Sequence, residues 1–121
     1  MTNNQIEQEI QAKGLTAPRV TPEHIENVID KEYYFTAADG CIGDQIQRLG
    51  EYFYQPIPLN LLTFCVLVLR NGFTITGESA CASPENFDAE IGRKIARANA
   101  INKIWPLEGY LLKEKLFNQQ Q

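Results

Sequence analysis

Apolar residues recur along this chain with two different periods, and the change of period marks its architecture. From Leu61 to Arg70 the sequence LLTFCVLVLR is apolar on both alternating faces, the pattern of a strand covered on two sides. Asn71-Gly72 then signals a two-residue hairpin turn, whose central positions both need positive φ. The return strand is Phe73 to Ser79. Pairing through such a turn sets Val68 opposite Ile75 and Val66 opposite Gly77, a face expected to pack on helices. Leu67 opposite Thr76 and Cys65 opposite Glu78 form a mixed second face, suited to a subunit contact or a ligand floor. Ser83-Pro84-Glu85 opens the longest helix, with Phe87, Ile91, Ile95, Ala98, Asn102 and Trp105 along one side at spacings of three and four. Pro106 ends or kinks that helix. A last helix, Pro106 to Leu116, carries Leu107, Leu111, Leu112 and Leu116.

Earlier in the chain the signals are weaker. Thr21-Pro22-Glu23 is a helix start, and Ile25, Val28 and Ile29 give the short helix one apolar face. Tyr33-Tyr34-Phe35-Thr36 reads as a strand ended by a turn at Ala38-Asp39-Gly40. Between Cys41 and Pro58, Ile46, Leu49 and Phe53 have helical spacing, so a short helix inside a long excursion is expected. Residues 1–20 read as a flexible arm in which Ile6 and Ile10 allow a frayed helix, and 118–121 as a disordered tail. The expected fold class is α+β: an antiparallel hairpin or small sheet packed against a C-terminal helical pair, with a short N-terminal helix. Residues 21–117 form its single domain.

Composition narrows the function. With 121 residues and 44% hydrophobic positions there is enough for one core. The formal charge of −4 argues against a general DNA or RNA binder, which needs a basic excess. Cys41, Cys65 and Cys81 are odd in number and widely spaced, which suits reduced thiols better than a disulfide framework or a metal site. Met1 is followed by polar residues and the longest apolar run is far short of a membrane span, so neither a secretory signal nor a membrane partner is expected.

The candidate chemistry is that of binding. Arg93 and Arg97 lie one helical turn apart, with Asn86 on the same stripe, and two guanidiniums so placed can grip phosphate oxygens while an asparagine reads a base or ribose edge. The plain alternative is a solvated face with a Glu90–Arg93 pair. Tyr34 and Phe35 offer aromatic faces to a base, although such clusters more often belong to a core or interface; Asn99 completes the ligand-binding set. Substituting either arginine by alanine is expected to weaken binding and leave folding nearly untouched. Glu78 reads as a structural ion-pair partner of Arg70 or a helix arginine. His24 is the lone histidine; a Cys–His dyad with Cys41, Cys65 or Cys81 is a minor reading, and a metal site drawing on it and the scattered thiols is weaker still. No catalytic residue, metal or cofactor is expected. A small nucleotide hydrolase would have only Glu78 or Asp88 as poor candidate bases.

The stretch NGFTITGESACASPENFDAEIG followed by KIWPLEGYLL resembles a family of small tailed-phage proteins, similar to the first-type Thoeris anti-defence sponges. NGF, GESAC, ENFD and WPLEGYLL, in this order, carry the resemblance, which is close over Leu61 to Leu116 and loose over Val20 to Phe35. It implies a non-enzymatic phage protein in the host bacterial cytoplasm. That protein would bind and sequester nucleotide immune signals: cyclic ADP-ribose isomers and, for some members, cyclic di- or trinucleotides. It also implies self-association as a dimer or a hexamer, with the Cys41–Pro58 excursion an insertion relative to shorter members. The candidate site residues rest on their chemistry and not on the resemblance. The alternative is a phage early protein that binds a host protein through its mixed sheet face.

Overall fold

The computed structural model describes residues 2–120. The element order is α1 (Asn3–Ala12), α2 (Pro22–Val28), β1 (Ile29–Thr36), α3 (Ala37–Leu49), the one-turn α4 (Ile57–Asn60), β2 (Leu62–Leu69), β3 (Thr74–Ala80) and α5 (Ala89–Gln119). The strands form an antiparallel sheet in the order β1-β2-β3, and α5 packs across one of its faces. This is the α+β class read from the sequence. Ile25, Cys65, Leu67, Leu69, Ile75, Ala96, Ala100 and Ile104 form the core between sheet and helix.

The hairpin register differs from the expected one by a residue. Leu69 N donates to Phe73 O and Gly72 N to Leu69 O, each at 2.8 Å, and of the loop residues only Gly72, at φ +89°, is left-handed. The loop therefore has three residues, Arg70 to Gly72: a tight turn followed by a left-handed glycine, rather than a two-residue turn. Asn71 instead turns its side chain to accept from Phe73 N at 2.9 Å. One extra loop residue moves every β2 side chain to the opposite face. Leu67 pairs with Ile75 and Cys65 with Gly77 beneath α5, while Phe64, Val66 and Val68 lie across from Glu78, Thr76 and Thr74 on the open face. Glu78 is thus exposed, with Thr76 Oγ1 at 3.5 Å, and makes none of the ion pairs expected of it among the described residues.

Gly77 explains why α5 sits where it does. A Cβ at that position would overlap the Ala96 carbonyl oxygen and the Ala100 nitrogen. The helix backbone rests directly on the strand, which requires a stripe of small residues; Gly92, Ala96 and Ala100 supply it, and Ile104 continues it. The expected apolar side is not the buried one, and Ile91 and Ile95 remain exposed. The helix also starts later than expected. Ser83 makes no side-chain cap, Pro84–Asn86 form a short 3-10 turn, and Asp88 caps α5 by accepting from Ile91 N.

In place of a helical pair there is a single helix of 31 residues with Pro106 inside it. An interior proline costs about 3 kcal/mol by removing one backbone hydrogen bond and crowding the preceding turn. Anchors on both sides hold the helix together: Ile104 is fully buried before the proline, and Glu108 meets His24 Nε2 at 2.6 Å after it. The helix runs on through Asn118 and Gln119, residues read as tail from sequence, while Gln121 of that stretch lies outside the described residues.

The two other revisions are local. Ala38-Asp39-Gly40 is not a turn but the first turn of α3, because Thr36 and Asp39 form a reciprocal capping box that starts a helix there. The 50–56 segment folds back on α3 through Gln45 Oε1, which accepts from Phe53 N and the Gln55 side chain.

Replacing Gly77 by alanine should destabilise by about 3 kcal/mol or more, since backbone and not a flexible side chain must give way. The melting temperature should fall by roughly 10 °C or more. Gly109→Ala, whose new methyl would meet nothing within 4 Å, should instead stabilise α5 by about 0.5–1 kcal/mol. Thermal melts of the two variants check both signs.

Candidate ligand-binding site

The arginine stripe is real as geometry but unequal in chemistry. Arg97 Nε donates to Glu32 Oε1 at 2.8 Å, and its Nη2 donates to Glu26 Oε2 at 2.7 Å. Further contacts at 3.1 and 3.3 Å make it a clamp joining α5 to α2 and β1. Tyr34 OH donates to the same Glu32 oxygen at 2.7 Å. The Arg97 hydrogen bond holds the Glu32 carboxyl below the usual range, while burial and then Glu32 push the Tyr34 phenol upward. Arg93, one turn earlier, is exposed and has no ion-pair partner among the described residues.

The other candidate residues lie elsewhere. Asn99 Nδ2 donates to Glu78 O at 2.8 Å and ties α5 to β3 on the opposite flank. Asn86 is exposed in the 3-10 turn on that same flank. Phe35 is on the open sheet face, its ring centroid 5.7 Å from that of Phe64. Arg93, Arg97 and Tyr34 share one side of the molecule; Asn86, Asn99 and Phe35 do not join them within one copy of the chain.

Sequence reasoning missed a cleft of about 570 Å³ between α1, α2 and α5. Arg97 and Lys94 stand on its α5 wall with Ile101, Asn102 and Trp105, and Asn3 and Asn4 of α1 face them. A neighbouring cleft of about 390 Å³ shares Trp105 and Asn102 and runs under Ile6 and Ile10. Trp105 Nε1 is sealed from solvent without an acceptor. The helix that closes these clefts was readable from Thr2-x-x-Gln5, a capping box that is formed with reciprocal bonds of 2.7 and 3.1 Å. Nothing in α1 is buried. Its anchor is Glu7, which accepts from both terminal guanidinium nitrogens of Arg19 and from the Gln11 amide. Arg19, with help from Gln11, holds the Glu7 carboxyl down from 4.5 to about 2.

His24 is taken by Glu108, and Cys65 is buried beside Tyr34, where burial pushes its thiol upward. No helix among the described residues is long and apolar enough to cross a membrane.

Residues 20–116 match the phage protein (N4 Gp49/phage Sf6 gene 66) family, and the chain belongs to it. No curated protein and no solved structure shows a significant match. Helix α1 lies before the matched span.

The α1 anchor sets a pH dependence. The folded carboxyl of Glu7 titrates below its unfolded value, so its contribution is complete above about pH 4.5 and is lost as pH falls toward 2. Glu32 acts with the same sign. Helix α1 should therefore loosen on acidification, and Glu7→Gln should reproduce this at neutral pH. Lower protection of the α1 amides against hydrogen exchange and a change in Trp105 emission, with the sheet still protected, are the expected readings. Equal protection of α1 at pH 3 and pH 7 would sink the assignment.

Proposed function

We propose that this member of the phage family is a non-catalytic anti-defence protein that binds and sequesters nucleotide immune signals. The ligands are cyclic ADP-ribose isomers and, in a second class, cyclic di- or trinucleotides. The observation that carries the reading is uncommitted Arg93, one helical turn before Arg97, which itself lines a cleft of nucleotide size. The resemblance to sponge proteins read from the sequence between Leu61 and Leu116 supports it. Arg93 is the phosphate contact of this proposal; Arg97 holds the helix, sheet and α2 together and shapes the cleft wall.

Self-association belongs to the same proposal. Tyr33 and Phe35 are exposed beside the half-buried Phe64 and Val66 on the open sheet face. Ile46, Leu49, Tyr52 and Phe53 add exposed apolar surface from the excursion. A dimer or a hexamer would cover these surfaces. The same exposure favours the second reading, a partner surface for a host protein.

Incubating the protein with each signal, denaturing it and chromatographing the released material tests sequestration. Intact ligand is the expected outcome; a new product formed in proportion to protein concentration would end the proposal. Calorimetric titration separates the arginines. Arg93→Ala should lose about tenfold or more in affinity, the range for a charge-assisted hydrogen bond, with melting shifted by less than ~0.5 kcal/mol. Arg97→Ala should lower stability by roughly 1–2 kcal/mol, because two partly exposed carboxylates lose their common partner. If Arg93→Ala binds like the parent, the phosphate contact lies elsewhere.

A further inference from the structure

We infer that the cleft beneath α1 is a site for an uncharged heteroaromatic ring, the base-bearing half of a nucleotide, with Trp105 as its hydrogen-bond donor. This rests on the nucleotide reading above and assigns a different part of the ligand from the phosphates given to Arg93. Charge is the first argument. The cleft lining carries two cations, Lys94 and Arg97, and two carboxylates, Glu23 and Glu26. Arg97 is bonded to Glu26 and Glu32, and Lys94 Nζ lies 3.3 Å from Glu90 Oε1. Arg97 is thus committed, and with two cations against two carboxylates the lining carries no net charge, so the cleft favours neutral chemistry.

The second argument is the pattern of polar groups. Asn3, Asn4 and Asn102 offer amides that pair with the mixed donor and acceptor edge of a base, between apolar Ile25 and Ile101. The third is the sealed indole N–H of Trp105. A buried donor without an acceptor is an exception among native polar groups, and a ring nitrogen or carbonyl would satisfy it. Helix α1, which lines both clefts together with Trp105, is the element that can give way to admit a ring. That helix buries no residue, is held by the Glu7–Arg19 pair, and lies before the family's matched span. It therefore acts as a removable cover that other members of the family need not share.

Adenosine and ribose 5-phosphate are the probes, titrated into the full-length protein. Adenosine should change the emission of Trp105, the chain's single tryptophan, and ribose 5-phosphate should not. By calorimetry, Trp105→Phe should weaken adenosine roughly fivefold, the worth of one neutral hydrogen bond. Asn102→Ala, exposed on α5, is a second variant that leaves the core intact and should also weaken it. Adenosine without effect at millimolar concentration, equal binding by both variants, or ribose 5-phosphate binding as well as adenosine would each overturn the assignment. Retention of an intact cyclic signal while adenosine stays silent would remove this site and leave sequestration standing. Adenosine bound at Trp105 with no signal retained would do the reverse.

Discussion

The contact on which the rest of the structure depends is that of the α5 backbone with Gly77. Helices usually stand off a sheet by the length of their side chains. Here the strand has no Cβ at the crossing point and the helix offers Ala96 and Ala100, so main chain meets main chain. That closeness fixes the rotation of α5 about its axis. With Gly92, Ala96, Ala100 and Ile104 turned inward, the flanking stripes are assigned: Arg93 and Arg97 toward α2 and β1, Asn99 toward β3. Ile91 and Ile95 are left outside. The candidate ligand chemistry thus follows from a packing constraint on one glycine.

The second constraint is electrostatic. A guanidinium that satisfies two carboxylates is no longer a free anion receptor. Displacing Glu26 or Glu32 with a phosphate would leave a carboxylate beside it and gain little. Arg97 therefore spends its charge on joining three elements, and its neighbour keeps its charge for other use. The spacing of one turn treats the two arginines alike; the tertiary partners separate them.

Helix α1 and the excursion around α3 sit outside this tightly built centre. Each is held by polar contacts: Glu7 with Arg19 for α1, and Gln45 with Phe53 and Gln55 for the segment after α3. Neither element buries a large side chain, since α1 buries none and α3 only Ala38. Regions with little buried apolar area open at low free-energy cost, and ligand covers and partner surfaces are drawn from them. Both border exposed aromatic or cleft surface, around the tightly packed sheet and helix.

The sequence by itself determined the local elements. The apolar strand run within Leu61 to Arg70, the glycine after Asn71, the Thr21-Pro22 helix start and a long helix following Ser83 each rest on local signals, and each appears in the structure, the last with a later start. It also carried two signals that outrank simpler ones. The Thr36–Asp39 box makes Ala38-Asp39-Gly40 a helix start, and the Thr2–Gln5 box makes the N-terminal segment helical through Ala12. Only the tertiary structure decided faces and partners. A loop of three residues in place of two reverses β2, because side chains alternate and a single step inverts them all. Arg97 meets Glu26 and Glu32 across 71 and 65 positions, a distance no local pattern encodes. The cleft around Trp105 exists because α1 returns over α5, a juxtaposition set by packing and one distant ion pair rather than by neighbouring residues.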